Sequence, residues 1–291
     1  MISEGSVHAA MVLCAGLGTR LRPLTDELAK PMVPVGDRPA VSHVTERVRL
    51  AAPSRVVVNV HHRPDDVRAW AERERIDVSY ETELLGTAGG VARAAPLLGA
   101  GDVLVWNGDI LSELDPRELA RAHHGGPPRL ATLAVRPRAA GKGNVGLSAE
   151  GRVVRLRGRA FAEEARGGDF LGIHVVGEAL RALLPEQGCL VGDVYIPALE
   201  RGEPLYALPT EASFVDVGSV AQYLAANAQW LALRGLRSWS HPSAKVRAPI
   251  DGSVIGAGAV VEAPALSSVV WPDAHVHTAC TSAVVTPRTA R

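Results

Sequence analysis

Short apolar runs alternate with charged, helix-prone stretches through the first three quarters of the chain. Ala9 to Leu13 (AAMVL) and Val56 to Val60 (VVVNV) are almost wholly apolar, the pattern of strands covered on both faces. Between them, Val41 to Leu50 places apolar residues at 41, 44 and 48, a helical spacing. Asp65 to Glu74 is charged and helix-prone, Val78 to Tyr80 reads as a strand, and a helical run follows through Leu98. Val103 to Ile110 (VLVWNGDI) predicts a strand that delivers Asp109 at its carboxyl end. Asp115 and Pro116 suit the N-cap and first position of the next helix. Leu130 to Val135 predicts a strand, Lys142 to Leu156 a hairpin turning near Gly151, and Asp169 to Val176 another strand. Phe214 opens a strand ending at Asp216, and Ser219 suits the cap of a helix reaching Asn227. Strand, helix, strand in this rhythm implies right-handed crossovers and a mainly parallel sheet. From Trp239 the texture changes. Val254, Val260 and Leu266 are six apart, as are Val270 and Val276 after a shift, with Gly, Ala and Pro between them. That spacing predicts a short left-handed parallel β-helix of two or three coils. The expected division is residues 1–238 for the α/β part and 239–291 for the tail.

Composition narrows the class. With 47% hydrophobic residues, the 291-residue chain can bury a large core plus an appendage. Lys plus Arg (31) equals Asp plus Glu (31), so no global field points to nucleic acid or an anionic membrane. Any phosphate site must be a local gathering of positive charge. Cys14, Cys189 and Cys280 are far apart, the pattern of a reduced cytoplasmic protein. Neither a leader nor a run of roughly 18 apolar residues is expected.

The candidate chemistry centres on Leu13 to Pro39. After the first strand comes a glycine loop, Gly16-Leu17-Gly18-Thr19-Arg20. Such a loop fits an anionic phosphate approaching backbone N–H groups, and it equally fits a tight turn. Arg20, Arg22 and Lys30 add positive charge, while Pro23, Pro31 and Pro34 prevent one continuous helix. A dinucleotide fingerprint would need glycine at position 21, where Leu21 stands. Gly86 to Gly90 reads as a helix start with Thr87 as its cap. Asp109 and Asp216 read as turn or helix-start residues, or as ligands at strand ends. Cys14 reads as a small buried filler and His174 as a core histidine. His61 and His62 read as solvated, and His275 and His277 as neighbours on one exposed strand face, where metal binding is the alternative.

Taken whole, GLGTRLRPLT (Gly16 to Thr25) and KPMVPV (Lys30 to Val35) resemble the signature of the sugar-1-phosphate nucleotidyltransferases. Later segments resemble the same family in the same order: LGTAG from Leu85, NGD ending at Asp109, GI at Gly172, and the DVGS and YLAAN segments after Phe214. The resemblance implies a Rossmann-like, mainly parallel mixed sheet flanked by helices, followed by the short β-helix. It implies transfer of a nucleotidyl group from a nucleoside triphosphate to a sugar 1-phosphate, releasing pyrophosphate. Arg20, Lys30 and Asp109 would be catalytic. Leu13, Ala15, Gly16, Gly18, Thr19 and Arg20 would hold the triphosphate. Glu81, Gly86, Thr87, Gly89, Asn107 and Gly108 would complete the nucleotide site. Asp109 and Asp216 would hold Mg2+, which takes hard oxygen ligands. Gly146 and Gly172 would lie beside the sugar.

One departure stands out. Many members carry EKP after the hairpin, and here those positions are Gly158, Arg159 and Ala160. Arg159 would take the sugar-phosphate contact, or Arg157 if the register shifts by two. LGTAG, NGDI and the tail look most like mannose-1-phosphate guanylyltransferases, which implies GTP and mannose 1-phosphate. Uridylyl- and thymidylyltransferases, or a regulatory subunit that only binds nucleotide-sugar, are the alternatives. No nucleic acid or membrane partner is implied, and the tail is expected to serve stability or contact between copies of the chain.

Overall fold

The computed structural model describes residues 7–288, so the first six residues, which bear on any leader, lie outside it. The described residues pack as two compact units, one of residues 7–16 and 44–214, the other of 17–43 and 215–288.

The first unit is built on a ten-stranded sheet. Its strands are β1 (Ala9–Leu13), β2 (Arg55–Val60), β3 (Asp77–Tyr80), β4 (Val103–Asn107), β5 (Ala131–Arg138), β6 (Val145–Leu147), β7 (Val153–Leu156), β8 (Arg159–Ala160), β9 (Arg166–Val176) and β10 (Leu205–Pro209). The main path runs β8-β7-β6-β9-β4-β1-β2-β3, and β5 pairs with both β9 and β10. Strands β4, β1, β2 and β3 are parallel, with Ala9 in register with both Arg55 and Val103. Strand β9 runs antiparallel to β4, β5 and β6, which makes the sheet mixed. The apolar runs do what their composition demands: Met11, Val57 and Val105 are fully buried, and Ala88, Val91, Ala94 and Leu98 cover them.

Local signals acted as the sequence predicts. Asp115 caps the helix Pro116–His124 by accepting from the Arg117 N–H at 2.9 Å, and Ser219 caps Val220–Leu233 by accepting from the Gln222 N–H at 3.3 Å. Strands β6 and β7 form the expected hairpin. Strand β4 ends sooner than expected, at Asn107. The Gly108 N–H turns back to the Leu13 carbonyl at 2.9 Å, and Ile110–Ser112 becomes a separate short strand. Thr87 is not a cap. The helix Gly86–Arg93 begins one residue before it, and its hydroxyl accepts from the Leu190 N–H at 2.8 Å.

The second unit joins the signature segment to the C-terminal part. Residues 17–43 form three single 3₁₀ turns, a two-residue hairpin of Pro34–Val35 with Arg38–Pro39, and the start of the helix Ala40–Arg49. Against this hairpin lies the helix Val220–Leu233. Asn227 accepts from the Gly36 N–H at 2.9 Å, and the Tyr223 hydroxyl donates to the Pro34 carbonyl. The tail is a short left-handed parallel β-helix with three faces of stacked two-residue strands. Trp239 pairs with Val254, Val254 with Val269 and Val269 with Val284, so each coil spans 15 residues. Strand starts step by 6, 5 and 4 along the coil, shorter than three hexapeptides. The third position of the predicted spacing therefore moves by one: Ala265 is buried and Leu266 is 38% exposed. Ser253 and Ser268 stack inside, the Ser268 N–H donating to the Ser253 hydroxyl at 3.0 Å and the Ala283 N–H to the Ser268 hydroxyl at 3.1 Å. This ladder satisfies backbone donors that short coils would otherwise bury unpaired.

Candidate functional site

In the first unit, the carboxyl ends of β1, β2 and β4 gather polar groups above an apolar sheet. Leu13 is in register with Asn59 and Asn107. The buried Asn59 amide accepts from the Cys14 N–H at 2.8 Å and donates to Glu81 at 2.6 Å. The other Glu81 oxygen accepts from the Leu85 N–H at 3.2 Å. Thus Glu81 is buried and anchors the Leu85–Gly90 segment through its carboxylate. Asn59 was not among the residues expected here; an amide inside the otherwise apolar run VVVNV is the signal that marks it.

That segment is further held by Thr87 on Leu190 and by the Ala88 N–H on the Gly188 carbonyl at 2.8 Å. At Gly89 a Cβ would stand 2.4 Å from the Glu186 carbonyl oxygen. These contacts press the backbone of Gly86 to Gly90 flat against residues 186–190. At the end of β1, Ala15 is buried and Gly16 exposed, with nothing within 4 Å of where its Cβ would be. An approaching ligand would meet bare backbone there.

Asp109 follows Asn107 and Gly108 at the same edge and is half-buried. Burial, then the Asp109 charge, pushes the Cys14 thiol far up, so this cysteine is an inert filler. Gly172 lies beside Asn107 with φ of +72°, and a Cβ there would meet the Asn107 amide nitrogen at 2.5 Å. Burial lowers the His174 pKa to about 3, and its ring meets the Tyr195 hydroxyl at 2.7 Å, which makes it a core residue. Gly146 sits against Glu164, which pairs with Arg155 at 2.6 Å. Of the two candidate arginines, Arg159 is exposed and pairs with Glu200, whereas Arg157 lies 3.5 Å from the Cys189 sulfur, in the loop that also receives Thr87.

In the second unit, Gly18 adopts the left-handed conformation (φ 62°, ψ 30°). The Thr25 hydroxyl donates to its carbonyl at 3.0 Å, and a Cβ on Gly18 would stand 2.7 Å from the Thr25 methyl and 3.0 Å from the Lys30 Cβ. So Gly18 packs directly on Lys30. Thr19 and Arg20 are exposed, and the Arg20 guanidinium lies 4.0 Å from the Asp216 carboxylate. With Arg20 71% exposed, this pair adds little stability, and the guanidinium remains open to solvent. Taken singly, the Asp109 and Asp216 side chains are carboxylates and the Asn107 side chain is an amide, so each offers a hard oxygen donor. That chemistry suits a hard divalent ion such as magnesium and does not suit zinc or copper.

The chain is also similar to known proteins. The nucleotidyl transferase family model matches residues 9–159, just over half of the 291-residue chain. A UTP–glucose-1-phosphate uridylyltransferase of Synechocystis is 27% identical over 79% of this chain and 63% of its own. A mannose-1-phosphate guanyltransferase of Aspergillus fumigatus is 40% identical over 40% of this chain and 35% of its own. The chain therefore spans less than two thirds of these relatives. Among solved structures, HddC from Yersinia pseudotuberculosis, complexed with GMP-PN, superposes over 77% of this chain and 99% of its own, with a TM-score of 0.63 at 21% identity. That likeness establishes a shared fold.

Proposed function

Because the chain belongs to the nucleotidyl transferase family, we propose that it joins a nucleoside triphosphate to a sugar 1-phosphate, giving a nucleotide-sugar and pyrophosphate. The observation that carries this reading is the left-handed turn at Gly18, locked by Thr25 and packed on Lys30, with Arg20 exposed beside it. An exposed glycine loop with two cations is suited to a polyanion.

The chemistry follows from the reactants. A sugar-phosphate oxygen attacks the α-phosphorus, forming one P–O bond as the bond to the β-phosphate breaks. That oxygen is already ionised at neutral pH, so no general base is needed. The burdens are alignment of two anions and neutralisation of growing charge. In our reading the backbone around Gly16, Gly18 and Thr19 holds the triphosphate. Arg20 and Lys30 stabilise the transition state and the departing pyrophosphate. The small Gly86–Gly90 segment receives the base, and the backbone at Gly146 and Gly172 lies beside the sugar. Arg157, beside the loop that braces this segment, is favoured over Arg159 for the sugar phosphate, because Arg159 is engaged by Glu200. Asp109 and Asp216 are the proposed magnesium ligands, and the bound ion would supply charge neutralisation at the triphosphate.

GTP and mannose 1-phosphate are the proposed pair. The guanyltransferase identity of 40% supports them, and the uridylyltransferase relative keeps UTP in the test. The experiment is pyrophosphate release with magnesium, four nucleoside triphosphates and a panel of sugar 1-phosphates. Release should be fastest with GTP and mannose 1-phosphate. Lys30→Ala and Asp109→Ala should each lower turnover about a hundredfold or more while the circular dichroism spectrum is unchanged. Nucleotide-sugar binding without release from any pair would overturn the enzymatic reading in favour of a sensor.

A further inference from the structure

Away from the residues assigned to catalysis, the first unit holds a cluster with metal-ligand chemistry. Asp102 lies immediately before β4, and Asp109 lies beyond its other end. A five-residue strand is about 17 Å long, so the two carboxylates belong to different sites. His123 and His124 end the helix Pro116–His124. One oxygen of Asp102, Oδ2, lies 2.8 Å from His124 Nε2 and 3.6 Å from His123 Nε2. The other, Oδ1, accepts from the Glu178 N–H at 2.8 Å, which fixes the carboxylate plane.

The tautomers decide what the cluster can hold. His124 Nδ1 lies 2.8 Å from the Ala120 carbonyl, an acceptor only, so Nδ1 carries the proton. In neutral His124 the Nε2 lone pair then faces the Asp102 oxygen. Two lone pairs at 2.8 Å repel unless a cation lies between or beside them. The Thr132 hydroxyl, 3.0 Å from His123 Nδ1, holds that ring with its Nε2 toward the same oxygen and, as both donor and acceptor, allows Nε2 to carry a lone pair. A ring nitrogen tied to a carbonyl or hydroxyl, with the other nitrogen presented to a common point, is the way a protein orients metal-binding histidines.

We propose that Asp102, His123 and His124 form a binding site for a divalent transition ion of the zinc class, independent of the nucleotidyl transfer site. Their ligand atoms all lie within 4.8 Å of one another. Tetrahedral bonds of about 2.0–2.1 Å set ligands about 3.4 Å apart, between the 2.8 and 3.6 Å seen here, so small side-chain shifts complete the geometry. Imidazole and one carboxylate suit zinc over magnesium. His123 is buried, whereas the His124 side chain is 32% exposed and gives an ion a way in and a water the fourth position. The Arg181 guanidinium, which feels the Asp102 charge, spends its hydrogen bonds on the Gly99 and Gly101 carbonyls. A second cluster, Glu262 with His275 and His277, differs on this point because Arg247 already pairs with Glu262 at 2.7 Å.

The test is calorimetric titration of the chelator-treated full chain with Zn2+, and with Co2+ to read a tetrahedral visible spectrum. One equivalent should bind and raise the melting temperature. His124→Gln and Asp102→Asn should each weaken binding by about tenfold or more, and His124→Gln should leave magnesium-dependent pyrophosphate release unchanged. Absence of stoichiometric zinc binding by the wild-type chain would overturn the proposal. So would binding that survives both substitutions. If zinc does not bind and NMR shows His124 doubly protonated at neutral pH, a proton holds the contact instead.

Discussion

At the scale of single residues, burial separates structural histidines from solvated ones, and that separation has a pH signature. His174 is fully enclosed with its pKa lowered to about 3, and burial lowers the His43 pKa as well. In the unfolded chain both titrate near the ordinary 6.5. Below 6.5 the unfolded state therefore takes up protons first, and stability falls as pH falls from 6.5 toward 3. Urea midpoints measured from pH 7 to 4 should decline, and His174→Gln should flatten the slope. An equally steep slope in that variant would show that His174 charges freely. Residue-level legibility is uneven for physical reasons. Cys14 and His174 were readable because small or aromatic residues inside apolar runs are usually core. The amide of Asn59 stands out in its apolar run, but its two partners, Cys14 and Glu81, lie 45 and 22 residues away and nothing local announces them.

At the scale of elements, Gly18 shows how a local conformation is tied to a charge. Alanine at this position would carry a left-handed backbone and would force its Cβ into the Thr25 methyl at 2.7 Å and the Lys30 Cβ at 3.0 Å. The strain costs about 1–2 kcal/mol. The greater effect is displacement of Lys30, whose stem is the second neighbour. Gly18→Ala should therefore lose most pyrophosphate release, about tenfold or more, with only a small loss in melting temperature. Full activity would show that Lys30 is placed by other contacts. Elements with strong local signals were legible: the apolar strands, the caps at Asp115 and Ser219, and the hairpin at Gly151. Elements fixed by distant partners were not. Strand β4 stops where the Gly108 N–H finds the Leu13 carbonyl, and the Thr87 hydroxyl accepts from the Leu190 N–H, 103 residues on. The β-helix was visible through its repeating valines. Its 15-residue coil was hidden because the step of four, at the tightest corner, breaks the count of six.

At the scale of the whole molecule, the signature segment folds together with the last quarter of the chain. Pro34 and Tyr223 are 189 residues apart, and no pattern in either segment names the other, so this pairing was beyond the reach of the sequence alone. The Tyr223 hydroxyl is the joint. It donates to the Pro34 carbonyl and accepts from the Trp271 indole N–H at 3.0 Å, linking the KPMVPV segment to the β-helix through one buried oxygen. Burial pushes the Tyr223 phenol far up, so it stays protonated and can donate throughout the working range of pH. Tyr223→Phe removes the oxygen and keeps the ring. It leaves a carbonyl and an indole N–H buried without their shared partner, at about 1–3 kcal/mol each. A melting temperature lower by on the order of 5 °C or more is expected. Lys30 precedes Pro34 by four residues, so loosening the hairpin should also lower turnover at temperatures where the variant is fully folded. Trp271→Phe, which removes only the indole donor, should give a smaller loss of both. If Tyr223→Phe melts earlier and yet turns over normally when folded, the tail stabilises the signature segment without setting the position of its lysine. If turnover and stability fall together in graded order, the β-helix is part of what holds the catalytic segment in place.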